Sequence, residues 1–388
     1  MIKLVSDTID KSDIDALCEW LQQDETPRLT KGELTLQLEA EWARQVGTKH
    51  AVFVNSGSSA ILLTMAALKA DGVGPKIVVP ALSWGTDLSS CMLMDYDIHL
   101  CDCNLEDLSV DLMHLEHIFQ TDKPQILLLV PVLGLVPQMD KIIKLCEDHG
   151  VILLEDCCES MGSRYNGTHL GGFGFASMFS MFFGHHISTI EGGFINTNNT
   201  DFYHKLLMMR SHGWNRELPL EKQKILREAY AIDPFNDMYT FYMPGMNLRS
   251  TDLQAFIGLR SIKKLSAFTD LREYNYRIMF AGLDGLNILE LDMRPWDVTS
   301  NFAFPVVSTD RDEILKRLKG KVETRPLIAG NLAEHPLWTI YGNQYGPAHT
   351  KLKDLPNASL VHKHGFYLPN HQHLSKEDLA TMINLCYG

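Results

Sequence analysis

The chain has 388 residues, 45% of them hydrophobic and 21% charged, enough apolar content for one large core and a smaller second one. Its formal net charge of −13 argues against nucleic acid or an anionic membrane as a general partner, while leaving room for a local basic pocket. The first residues form no apolar signal core, and no apolar run approaches the roughly 18 residues that span a bilayer, so a cytoplasmic protein with no membrane partner is expected.

Ser12 reads as the cap of an amphipathic helix over 12–23. A second helix is predicted over 33–45, with Leu34, Leu38, Trp42 and Val46 on one face. Strands follow at 51–55, 77–80, 98–101, 126–132, 151–154 and 177–183, with helices over 58–70 and 139–149 among them. Most of these strands are continuously apolar, as strands buried on both faces of a mainly parallel sheet are. The alternation predicts a three-layer α/β domain. Beyond about residue 245, helices over 250–262 and 264–283 lead to a strand at 301–307 and a helix over 311–318. A last helix starts after the capping signature Ser375-Lys376-Glu377-Asp378. This reads as a smaller α/β module, with a boundary between residues 1–250 and 251–388.

Eight cysteines (Cys18, Cys91, Cys101, Cys103, Cys146, Cys157, Cys158 and Cys386) show no paired C-x-x-C spacing. Small buried thiols and no metal site are expected. Four segments carry chemistry. Asn55-Ser56-Gly57-Ser58-Ser59-Ala60 lies between a strand and a helix and offers N–H groups to a phosphate, or is an ordinary helix cap. Pro80-Ala81-Leu82-Ser83-Trp84 lies just past a strand's C-terminal end, where ligands of open α/β sheets bind and an aromatic ring can stack on a planar group. Leu153-Leu154-Glu155-Asp156 delivers two adjacent carboxylates at a strand end, of which Asp156 is chosen, with Glu159 one helical turn on. The fourth runs from Ser180 to Gly193 and holds His185-His186 and Glu191-Gly192-Gly193. Gly172-Phe173-Gly174 lacks the third glycine and the preceding strand of a dinucleotide loop.

Taken together, these segments resemble the sugar-nucleotide aminotransferase family (DegT/DnrJ/EryC1/StrS) of pyridoxal 5'-phosphate (PLP) enzymes. The order matches Gly-Ser/Thr-Ala, Pro-x-x-x-aromatic, Glu-Asp-x-x-Glu/Gln, Ser-x-x-x-x-Lys and Glu-Gly-Gly, and Gly245-Met246-Asn247-Leu248-Arg249 is similar to the family's Gly-x-Asn-x-Arg. The departure is at the lysine that tethers the cofactor: its position is His185, and no lysine occurs from Leu145 to His204. This replacement, followed by a second histidine, resembles the 3-dehydratase branch. So do the segments 210–216, 324–331 and 364–372.

The resemblance implies the type I aspartate aminotransferase fold, with a large α/β/α domain holding a mixed seven-stranded sheet and a smaller C-terminal α/β domain. It implies Gly57, Ser58, Trp84, Asp156, Glu159, Ser180 and Asn247 as cofactor contacts, and His212, Arg249, Arg325 and Asn331 as substrate contacts. Asn247 would reach the cofactor of a neighbouring subunit, so a homodimer with shared sites is expected. Imidazole forms no stable tether with the cofactor aldehyde, but it is a good base near neutral pH. The expectation is therefore PLP/pyridoxamine 5'-phosphate (PMP) held without a covalent bond and His185 as base. Glutamate would be the amino donor, and the C3 hydroxyl would be lost from a nucleotide-linked 4-keto-6-deoxy sugar of a colitose-type route. GDP is favoured as the nucleotide; CDP- or dTDP-linked substrates, amine transfer, and a non-catalytic protein of this fold remain open.

Overall fold

The computed structural model describes residues 1–345 and 351–388. Helix α1 (Lys11–Leu21) starts at Asp10, whose carboxylate accepts from Ser12 N and Asp13 N in a capping box with Asp13, so Asp10 and not Ser12 is the cap. Helix α2 (Glu33–Val46) buries Leu38, Trp42 and Val46 against the sheet, while the partly buried Leu34 packs at its edge. Then strand and helix alternate: β1 (His50–Val54), α3 (Gly57–Ala70), β2 (Lys76–Pro80), α4 (Gly85–Leu93), β3 (Asp97–Cys101), α5 (Leu112–Asp122), β4 (Ile126–Leu129), α6 (Met139–His149) and β5 (Ile152–Asp156). A small hairpin, β6 (Arg164–Tyr165) and β7 (Thr168–His169), precedes β8 (Ala176–Ser180) and β9 (Gly193–Thr197).

The seven-stranded sheet has the order β1-β9-β8-β5-β4-β2-β3. Six strands run one way, and only β9 runs against its neighbours β1 and β8. The run of apolar residues at 126–129 is buried on both faces, as a central parallel strand must be. The ends of β1, β2, β5 and β8 therefore lie along one edge, where ligands of such sheets bind.

Helices α7 (Thr200–Arg210), α8 (Leu220–Ala229) and α9 (Pro234–Asp237) lead to α10 (Asp252–Ser261), which packs on α2, and to α11 (Leu265–Gly282). The second unit pairs β10 (Ala303–Val307) with β11 (Gly365–Pro369), carrying α12 (Arg311–Leu318), α13 (Pro336–Tyr345), α14 (Pro356–His364) and α15 (Lys376–Tyr387). The last helix opens on the Ser375–Asp378 capping box. Ile2 pairs with Val322, so the first residues of the chain join this second unit. Among the described residues no helix is long and apolar enough to cross a membrane.

Candidate active site

Three turns meet at the strand ends. Ser56 caps α3 by accepting from Ser59 N at 3.0 Å. That leaves the Gly57 and Ser58 N–H groups at the helix start without intrahelical acceptors, where the dipole favours an anion. Ser180, at the end of β8, is buried; its Oγ accepts from Phe182 N at 3.3 Å, and its own proton has no acceptor among the described residues. The turns touch closely: a Cβ on Gly57 would lie 2.7 Å from Ser180 Cβ and 2.9 Å from Cys158 Sγ. A Cβ on Gly193 would lie 2.4 Å from the Ser56 carbonyl. Glycine at both positions is what lets three backbones form this cup. Amide donors and a hydroxyl around a small hollow fit a phosphate.

The strand alternation separates the two adjacent carboxylates. Glu155 points to one face, where it accepts from the amides of Gly171 (2.7 Å), Phe173 (2.9 Å) and Gly174 (2.7 Å). It ties down the loop after the small hairpin. Asp156 points to the other face and accepts from Cys158 N at 3.0 Å. It is nearly inaccessible and faces Asp87 of α4. Glu159, one turn on, accepts from Leu133 N at 3.1 Å. Burial pushes its pKa up to about 7, with the Leu133 amide opposing and Asp156 adding. An aromatic ring with a basic nitrogen therefore has a carboxylate to meet beside the phosphate cup, so the residues present fit a pyridoxal phosphate group.

His185 follows on the loop after β8. Its Nδ1 lies 3.3 Å from the Ser180 carbonyl, which can only accept, so Nδ1 carries the proton and Nε2 the lone pair. Phe302 packs edge-on against the ring, at 5.4 Å between centroids. Burial lowers the His185 pKa to about 4; the Ser180 carbonyl raises it and Arg272 lowers it further. The ring keeps some solvent contact, and the direction of the shift leaves it a neutral base at pH 7. His186 points the other way. It is wholly buried and donates Nε2–H to the Ser300 carbonyl at 2.8 Å, so it is a packing residue of the loop. Arg272 on α11 holds the same stretch, donating to the carbonyls of Asn301 (3.4 Å), Phe302 (3.1 Å) and Asn370.

Trp84 stands at the rim, 57% exposed, as the residue before α4. The second unit closes the other side: Leu82 bridges to Asn331, and Leu332 N donates to Ala81 O at 2.8 Å. Asn331 itself is fully buried. It accepts from Ala333 N and donates to Ser359 Oγ, both at 3.0 Å, so its side chain caps the turn at Leu332–Glu334. Arg325 is exposed, and its backbone carbonyl accepts from Tyr367 N at 3.0 Å. His212, Asn247 and Arg249 form a separate group beyond β1, joined to the cup through Asn55 N donating to Leu248 O at 3.0 Å. There Arg249 donates to Asn247 Oδ1 at 3.1 Å, and Arg216 stacks over Trp214 and Tyr239 at 4.0 and 4.6 Å. The sequence reading missed Asp87, Phe302 and Arg272. Only Asp87 left a local signal, the capping-box spacing after Trp84.

The model of the DegT/DnrJ/EryC1/StrS aminotransferase family matches residues 7–386. GDP-4-keto-6-deoxy-D-mannose 3-dehydratase of Yersinia pseudotuberculosis is 32% identical over 393 residues, covering 98% of this chain and 97% of that protein. Among solved structures, a histidine-to-asparagine mutant of GDP-4-keto-6-deoxymannose-3-dehydratase with bound GDP-perosamine matches with a TM-score of 0.88 at 31% identity over 100% of both chains. The enzyme of that name with a trapped PLP-glutamate geminal diamine matches with a TM-score of 0.87 at 30% identity, again over 100% of both chains.

Proposed function

The chain belongs to the DegT/DnrJ/EryC1/StrS aminotransferase family, and from that membership and the site's geometry we propose a PLP/PMP-dependent sugar 3-dehydratase. The substrate is a nucleotide-linked 4-keto-6-deoxyhexose, with GDP-4-keto-6-deoxy-D-mannose favoured by the relatives, and L-glutamate is the amino donor. The product is a 4-keto-3,6-dideoxy sugar of the colitose type, as used in O-antigens, made in the cytoplasm. The carrying observation is His185: a neutral base held by the Ser180 carbonyl, in the place of a tethering lysine.

The bound cofactor supplies an amine and an electron sink. The Gly57 and Ser58 amides and the Ser180 hydroxyl would hold its phosphate, Asp156 would meet its ring nitrogen, Trp84 would stack on the ring, and Glu159 would flank it. His185 accepts a proton at Nε2 and, once charged, has a proton to give to the departing C3 hydroxyl, which leaves as water. Arg325 and the His212–Arg249 group offer cations to the diphosphate. In the division proposed at residue 250, the two parts close on the site from opposite sides.

Incubation with GDP- and CDP-linked 4-keto-6-deoxyhexoses, PLP and glutamate tests the reading by mass spectrometry of the products. The expected result is a C3-deoxygenated sugar with release of ammonia. A retained amino sugar would make the chain an aminotransferase instead.

The protein is a homodimer in this reading. Asn247 is exposed, and the segment that precedes it exposes Tyr230, Phe235, Met238, Tyr239 and Phe241, apolar residues of the kind a partner covers. Sedimentation of the active protein is expected to show a dimer, and a fully active monomer would refute it.

A further inference from the structure

Asp87 is a buried acid without an assigned task. It lies on the first turn of α4, three residues after Trp84, and no part of its surface reaches solvent. One oxygen, Oδ2, accepts from Trp84 N at 3.1 Å. The other, Oδ1, is buried and has no donor among the described residues. The side chain faces Asp156, the carboxylate at the end of β5. Two buried carboxylates in contact cannot both be ionised, because neither has a proton to share and each repels the other. A proton placed between them removes the repulsion and gives Oδ1 a partner.

The surroundings say which acid keeps that proton. Asp156 has the Cys158 amide at 3.0 Å to stabilise its charge, and the ring nitrogen beside it when the cofactor is bound. Asp87 has the Trp84 amide and the nearby Ser83 hydroxyl, against complete burial and the charge of Asp156. The other titratable neighbours are the thiols of Cys91 and Cys158, both held protonated by burial. The largest influences on Asp87 are its burial and Asp156, followed by the Trp84 amide and the Ser83 hydroxyl. A proton placed there is shared by the pair and belongs to neither member alone.

We propose that Asp87 is a positioning residue: as a carboxylic acid it donates a hydrogen bond to Asp156 and fixes that carboxylate toward the cofactor's ring nitrogen. Held this way, Asp156 keeps one orientation toward the ring nitrogen. Trp84 and Asp156 are then set by the same side chain, the one through its amide and the other through the shared proton. The inference rests on the reading of Asp156 as the partner of the ring nitrogen.

The test has an arm that needs no cofactor. Infrared difference spectra of protein carrying 13C-labelled aspartate, without PLP at pH 7, should show the carbonyl band of a protonated carboxylic acid, and Asp87→Asn should remove it. Asparagine keeps both the cap on Trp84 and a donor toward Asp156. PLP titration followed by absorbance should therefore give Asp87→Asn an affinity close to wild type. Asp87→Ala should lose on the order of tenfold, the scale of one hydrogen bond to a charged group. Absence of the acid band in wild type, or equal losses in the two variants, would overturn the proposal. A dehydratase assay that fails while the band and the affinity order hold would count against the proposed reaction and keep the shared proton.

Discussion

Replacing His185 by asparagine is expected to leave PLP binding within a few-fold of wild type and to lower the dehydration rate by about a thousandfold, the middle of the range for one acid–base group. Asparagine retains an N–H for the Ser180 carbonyl but has no lone pair of comparable basicity. The phosphate cup at Gly57 and Ser180 and the carboxylate of Asp156 are untouched, so absorbance titration should show binding preserved. His186 cannot take over, because with Nε2–H held by the Ser300 carbonyl its lone pair sits on Nδ1, in a fully buried site that no substrate reaches. Turnover within tenfold of wild type would place the base elsewhere. The complementary variant, His185→Lys, should become covalently labelled when PLP and borohydride are added, whereas wild type should not. The pH profile has a direction as well. Burial lowers the His185 pKa to about 4, so the base form is complete above the ordinary imidazole value and is lost only as pH falls toward the lowered one. The acid limb of kcat/KM should therefore lie well below pH 6.5.

Local chemistry made much of this legible before any coordinates. The helix at 311–318 and the Ser375 capping box follow from neighbouring residues alone and form as read, whereas the strand read over 126–132 ends at Leu129, before Pro131 and the 3-10 turn at Val132–Gly134. Asp10 displaced Ser12 as the first cap because Asp10 is matched by Asp13 three residues into the helix, which completes the reciprocal bond. Strand β9 escaped notice: it is five residues long, opens on a glycine, and gains its place by pairing against β1 and β8, which are distant in sequence. The adjacent pair Glu155–Asp156 was ambiguous as letters. The period of two in a strand sends them to opposite faces, and only the position of the 171–174 loop shows which face is structural. Asn331 and Asp87 share that limit. Their roles come from contacts between distant segments, with Ser359 and Asp156, that no spacing encodes.

The Arg210→Met variant should lose about 3–5 kcal/mol, the cost of stranding a buried charge, read as a lower midpoint in urea and a lower Tm. Arg210 is fully buried at the end of α7 and donates to Glu39 on α2 and to Glu217, both at 2.5 Å, and to the Phe53 carbonyl of β1 at 2.7 Å. Burial opposes its charge, but Glu39 and Glu217 outweigh that and hold its proton. Lys31 also reaches Glu217 at 3.1 Å, so that carboxylate has a second cation, while Glu39 has no second cation among the described residues and would be left buried with only the Phe53 amide, at 2.8 Å. The consequence passes to the site. Glu217 accepts from Ser211 Oγ at 2.8 Å, closing the loop that presents His212, Trp214 and Arg216. A rise in KM for the sugar nucleotide should therefore accompany the lost stability, with kcat less affected, because the base and the phosphate cup lie on other turns. Adding Glu39→Met to the variant should recover part of the stability by removing the stranded charge, and should leave KM raised, since the loop still lacks its anchor. A loss below about 1 kcal/mol in the single variant would mean that Glu39 takes up a proton or turns to water, and that Ser211 and the Tyr242–Gly213 backbone bond suffice to hold the loop.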